Sequence, residues 1–94
     1  MNIKNLKNKI QPIAKKYGVE KIILYGSRSR GDFHKTSDYD LYIIPGKIES
    51  LIQLAEFQNE IETAIKGKTD ITTILDEYLK AEIIRDGILI WIKE

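Results

Sequence analysis

Apolar residues recur at spacings of three and four at the start of the chain, at Ile3, Leu6, Ile10, Ile13 and Tyr17. That period lays one stripe along a helix, which Gly18 is placed to close. Pro12 falls inside the stripe and lacks the backbone N–H the ladder needs, so it predicts a kink or the start of a second segment. The pattern then changes. Val19 to Tyr25 carries the β-branched, apolar run Ile22-Ile23-Leu24-Tyr25 and stops at Gly26, as a buried strand does. A polar turn follows from Ser27 to Ser37, and Tyr39 to Ile44 reads as a second strand ended by Pro45-Gly46. Leu51, Leu54, Ile61 and Ile65 write a further helical stripe ending near Gly67, and Thr69 to Ile74 a third strand. Asp76 is placed to cap a helix that runs through Ile84 to Asp86-Gly87, and Ile88 to Ile92 forms a last, almost wholly apolar strand. Helices alternating with strands predict an α/β (α+β) fold: a small mixed sheet of about four strands with helices mainly on one face.

The last strand poses a packing problem. Ile88, Leu89, Ile90, Trp91 and Ile92 offer apolar side chains to both faces, whereas a sheet covered on one side needs only alternation. One expectation is that part of this run packs against a second chain, in a homo-oligomer or with a protein partner. The competing expectation is that the opening helix folds back over the strand within the monomer.

Composition narrows the classes. With 94 residues and 43% apolar content, one core and a single domain over residues 1–94 are expected. Fifteen Lys and Arg nearly cancel fourteen Asp and Glu, so no global field drives the chain onto nucleic acid or an anionic membrane. Neither partner is expected. There is no cysteine, no leader pattern and no apolar run long enough to span a bilayer, from which a soluble, cytoplasmic protein is expected. Cysteine-ligated zinc is excluded, and a single histidine, His34, speaks against an imidazole metal site or a Ser-His-Asp triad. Carboxylate chemistry remains.

Three segments could carry it. Gly26 and Ser27 stand where a strand ends and a short helix can begin, leaving free N–H groups to face an anion. Gly26 lets backbone approach a phosphate, and Ser27 could both cap the helix and donate its hydroxyl. A plain tight turn is the simpler reading of these two alone. Asp38 and Asp40, two apart on a predicted strand, leave the same face with Cα atoms roughly 6.6 Å apart. Such a pair repels unless a cation lies between its members, although a solvated strand start accounts for it equally. Asp70, opening the third strand, joins them if the two strands are neighbours, and it could accept a proton from an attacking hydroxyl. Arg28 and Arg30 either contact phosphates or solvate the turn. His34 and Lys35 read as exposed loop, and Tyr25, Tyr39 and Tyr42 as core or site wall.

Taken together, Gly26-Ser27, the basic Arg28-x-Arg30-Gly31 tail, Ser37-Asp38-Tyr39-Asp40-Leu41 and Asp70 resemble the DNA polymerase beta-like nucleotidyltransferase superfamily, and within it the minimal members, the MNT proteins. The resemblance covers about Ile22 to Ile74. It implies a nucleotidyltransferase fold and a Mg²⁺-dependent enzyme, with two ions, in which Gly26, Ser27, Arg28 and Arg30 bind a nucleoside triphosphate, ATP in the first instance. It further implies that Asp38, Asp40 and Asp70 hold the metal, and that Asp70 also activates the acceptor. MNT proteins are similar to antitoxins of helical HEPN toxins, so the resemblance implies AMP transfer to a hydroxyl of such a partner. Two other readings stay open: an antitoxin that masks its partner without turnover, and transfer to an RNA end or a small molecule. The short chain leaves little for an acceptor pocket, unlike kanamycin-type relatives with their extra domain.

Overall fold

In the computed structural model of the chain, which describes residues 2–94, the opening stripe forms α1 (Ile3–Tyr17). The Asn2 side chain accepts from the Asn5 N–H at 2.8 Å at its start, and Gly18 caps its end. Leu6, Ile10 and Ala14 enter the core, as the period requires. Pro12 does not divide the helix. Pro12 and Asn8, whose carbonyl loses its partner, are both exposed, so water can satisfy that carbonyl and the 15 residues stay one element.

The first strand, β1 (Lys21–Tyr25), is shorter than predicted because Val19 belongs to the helix end: its N–H donates to the Ala14 carbonyl at 3.0 Å and its side chain is fully buried. A single-turn helix, α2 (Ser27–Arg30), opens the polar turn, and β2 (Tyr39–Ile44) follows it. In α3 (Leu51–Ile65), capped by Ser50, the buried stripe is Phe57, Ile61 and Ile65. Leu51 lies off it, 84% exposed, and Phe57 meets the Tyr17 ring edge-on at 5.5 Å between α3 and α1. The third strand, β3 (Thr69–Thr72), ends two residues early, and α4 (Glu77–Asp86) starts where the Asp76 carboxylate accepts from the Leu79 N–H at 2.8 Å. The last strand is β4 (Ile88–Ile92).

The strands stand in the order β3-β2-β1-β4, with β2 and β3 parallel and the other neighbours antiparallel, so the sheet is mixed. α1 and α3 cover one face, over Ile22, Leu24, Leu41, Ile43 and Ile90. α4 lies over the other face near Ile23, Tyr42 and Ile44, and it buries no residue of its own. Among the described residues no helix is long and apolar enough to cross a membrane.

The packing problem of β4 is solved by a bulge. Ile22 pairs with Trp91 and Ile23 with Leu89, which leaves Ile90 without a partner across the ladder. The extra residue shifts the pleat by one, so Ile88, Ile90 and Trp91 all pack on the core side while Leu89 and Ile92 stay exposed. The Ile90 carbonyl accepts from Gln11 Nε2 of α1 at 3.2 Å, and the Trp91 indole N–H donates to the Val19 carbonyl at 2.7 Å. Trp91 is therefore held within the chain, and the need for a second chain to cover it falls away. Replacing Ile90 by Ala should lower the unfolding free energy by about 2–4 kcal/mol. Leu89→Ala or Ile92→Ala should cost under about 1 kcal/mol, as exposed positions do. Urea unfolding midpoints measure both, and equal losses at all three positions would refute the shifted register.

Candidate active site

Three strands bring their polar ends together at one end of the sheet. Asp40 pairs with Tyr25 of β1 on one side and with Asp70 of β3 on the other. Strands lie about 4.8 Å apart, and residues in direct register share a face, so the Asp40 and Asp70 carboxylates stand side by side. Their face is the one opposite α1 and α3, because Tyr39 and Leu41, the neighbours of Asp40, are buried in the core. Asp38 lies just before β2 rather than on it, exposed and two positions from Asp40. Asp70 is held by its predecessor. The Thr69 N–H and hydroxyl donate to Glu62 Oε2 at 2.7 and 3.1 Å, and Gln58 Nε2 donates to the Thr69 carbonyl at 3.0 Å, which pins the start of β3 to α3.

Charge accumulates at this sheet end although the chain as a whole is nearly neutral. Burial pushes Asp40 above its ordinary value of 3.8, and the charges of Asp70, Asp38 and Glu82 push it the same way, with Arg30 opposing. A carboxyl that holds its proton more tightly when folded weakens the fold as pH rises past 3.8 and through that higher value. The ionised form is thus the strained one at neutral pH, and a cation would relieve it. Tyr25 is raised to about 12, by burial first and then by Asp40, Asp70 and Glu82, so its hydroxyl keeps its proton. Arg30 bridges Asp32 at 3.2 Å and Glu82 at 3.4 Å, and it is the predicted phosphate contact that faces the acids.

Gly26 makes the close approach possible. Its φ of +75° lies in the region that favours glycine, and a Cβ there would come within 2.2 Å of Asp40 Oδ2. Gly26 is also the N-cap of α2, so Ser27 takes the first helical position and does not cap the helix as the sequence suggested. The Gly26 carbonyl accepts from Ser29 Oγ at 2.8 Å. Arg28 is not brought to the acids: its guanidinium donates to the Ser37 and Lys35 carbonyls. His34 and Lys35 lie in the exposed loop, as read.

Among the described residues no three acids or histidines are already gathered into a ligating cluster. The donor set of Asp38, Asp40 and Asp70 is all oxygen, and the mutual repulsion felt at Asp40 suits a hard divalent cation such as Mg²⁺, which takes one or two carboxylates alongside substrate oxygens. A cleft of about 770 Å³ lies against Phe33, Tyr39, Ile65, Lys66 and Lys68 and does not contain these acids. Tyr25, read from the sequence as core or site wall, stands beside Asp40. Glu82 escaped the sequence reading, since only the return of α4 over the sheet brings it to the site.

Comparison with known proteins bears on the family and the fold. Residues 8–94 match the family model described as "Polymerase beta, Nucleotidyltransferase". The chain is 32% identical over 90 residues, 94% of its length and 97% of the relative's, to a Methanocaldococcus jannaschii protein named "Putative protein adenylyltransferase MJ0435". Its fold is similar to that in a crystal structure of a toxin-antitoxin with AMP-PNP, at a TM-score of 0.74 and 22% identity over 94% of this chain and 74% of that one. It is also similar to one in a structure of the tri-AMPylated Shewanella oneidensis HEPN toxin in complex with MNT antitoxin, at a TM-score of 0.70 and 18% identity over 98% and 74%. At those identities the two structures establish the fold alone. With nearly the whole chain matched, and with Gly26, Asp40 and Asp70 converging at one sheet end, the chain belongs to the polymerase beta nucleotidyltransferase family.

Proposed function

We propose that this nucleotidyltransferase moves AMP from ATP to a hydroxyl of a partner protein, a HEPN-type toxin, and so acts as its antitoxin. The observation that carries the reading is the contact of Gly26 with the Asp40 carboxylate, beside Asp70 in direct register. It brings the Gly26 turn, the Asp40 carboxylate and Asp70 to one point, which supports reading them as a phosphate-approaching turn and cation-holding acids. The name of the M. jannaschii relative supports AMP transfer to protein, and the toxin-antitoxin structures support the nucleotide and the kind of partner.

In this reading the acceptor oxygen attacks the α-phosphorus, the bond to the departing pyrophosphate breaks, and Asp70 takes the acceptor's proton. Asp38, Asp40 and Asp70 would hold Mg²⁺, as one ion or as two, and the bound metal would supply charge neutralisation on the phosphates. Gly26 and Ser27 offer backbone N–H groups at the start of α2, and Arg30, released from Glu82, neutralises a further phosphate oxygen. Tyr25, protonated at neutral pH, offers a donor beside Asp40 rather than a base.

Incubation with α-labelled ATP, Mg²⁺ and the HEPN-type product of an adjacent gene should place label on that partner. A stable complex without label would overturn transfer in favour of steric masking. Asp40→Asn should cut transfer by about 10²–10³-fold or more. It should leave the metal-free melting temperature at pH 7 equal or higher, since it removes the strained charge; a large drop would make Asp40 structural.

Asp70→Asn separates binding from turnover. ATP affinity, read by calorimetry, should stay within about threefold while the transfer rate falls about 10²–10⁴-fold, the range for a lost proton acceptor. Equal losses in both would assign Asp70 to the cation alone.

Gly26→Ala should displace Asp40 and strain the turn, at about 1–3 kcal/mol of stability, with transfer lost well before the fold. A variant that transfers at the normal rate would show that the close contact is dispensable.

A further inference from the structure

The Arg28 guanidinium is committed within the chain. Nε and Nη2 donate to the Ser37 carbonyl at 3.2 and 3.0 Å, and Nη2 also donates to the Lys35 carbonyl at 3.2 Å. Two rings bracket it, with the Phe33 centroid 4.2 Å and the Tyr39 centroid 4.3 Å from the guanidinium carbon. Tyr39 in turn presses on the turn before β3, where a Cβ on Gly67 would come within 2.9 Å of its ring, and its N–H donates to the Lys68 carbonyl at 2.9 Å. One stack therefore runs from α2 through the loop of residues 31–38 and the first residue of β2 to the entry of β3. Asp38 is bonded directly to Ser37, Asp40 to Tyr39, and Asp70 follows three residues after Gly67. The stack reaches every segment that bears an acid, yet among the described residues Arg28 forms no ion pair with any of them.

We propose that Arg28 is a positioning residue for the cation site: it fixes the Ser37 carbonyl, and with it the backbone that carries Asp38 at the entry to β2. The proposal rests on the reading of these aspartates as cation-holding groups. The loop itself is exposed; besides the Arg28 tether it has the exposed Asp32–Arg30 pair at 3.2 Å and its own turn, with the His34 N–H on Ser37 Oγ at 2.8 Å and the Ser37 N–H on the His34 carbonyl at 3.0 Å. Without the tether the loop must be ordered at the moment of binding, and that entropy is subtracted from cation affinity. A planar fork that stacks and donates at once is a property of arginine. Lysine offers a point charge, so it cannot hold two rings and two carbonyls in one geometry.

The test compares the intact wild-type chain with Arg28→Met and Arg28→Lys, using Mn²⁺ and ATP as probes. Hydrogen exchange on the metal-free chains should accelerate at His34 and Ser37 in both variants, with α1 and α3 unchanged. The Mn²⁺ held by the chain in the presence of ATP, beyond what ATP alone holds, should bind about tenfold more weakly in both, in the range seen when a group supporting a metal ligand is lost. ATP affinity without metal should stay within about threefold. A tenfold loss of metal-free ATP affinity with loop exchange unchanged would make Arg28 a phosphate contact and overturn the proposal. Retention of Mn²⁺ affinity in either variant, or accelerated exchange throughout α1 and α3, would also overturn it. If the wild-type chain holds no Mn²⁺ beyond that of ATP, the reading of the site itself fails; wild-type binding matched by Arg28→Met sinks the positioning role alone.

Discussion

The site depends on one contact, the carboxylate of Asp40 against a backbone that has no side chain, at Gly26. A half-buried acid at the end of a core strand is costly, and the neighbouring Asp70 raises that cost by like-charge repulsion. Nothing in the apolar core rewards such an arrangement. The fold tolerates it because its own strand and the neighbouring β1 are fixed by packing elsewhere: Leu41 and Ile43 of β2 and Leu24 of β1 are fully buried on the opposite face. Hydrophobic burial on one face thus holds in register the charges on the other. The result is a concentration of acid charge at one sheet end of a chain of net charge +1.

The two arginines of the Gly-Ser segment divide the work by geometry. They are two residues apart on a single helical turn, so their side chains leave in different directions. Arg30 turns toward the acids and pairs with Asp32 and Glu82, where an incoming anion can compete for it. Arg28 turns toward the loop and stacks between Phe33 and Tyr39. A residue type that reads as a phosphate ligand in sequence can therefore be spent on holding the loop that carries an acid, and the rings on either side of it are the sign.

α4 is the element least committed to the fold. It buries no residue, and Ile74, Tyr78 and Ile84 on and near it are largely exposed. Its link to the site is electrostatic, through Glu82 and its pairing with Arg30. Ion pairs of this exposed kind contribute little to stability.

Much of this protein was legible in the order of its residues, and the reason is local. The three-and-four spacing in α1, the β-branched runs of β1 and β2, and the Asp76 cap are set by the backbone period and by nearest-neighbour hydrogen bonds, which tertiary structure only confirms. The segments that bear the site were legible for a further reason: acids at the head of apolar strands contradict the pattern around them. What the sequence could not determine were relations between distant residues. Only the sheet order makes Asp70 a neighbour of Asp40, and only the return of α4 adds Glu82. Only the bulge in β4 tells which of five apolar residues face the core, because a shift of one residue reverses every side chain after it. The direction of Arg28 was likewise beyond the sequence, since it is fixed by rings five and eleven positions away that a folded loop brings to either side of one guanidinium.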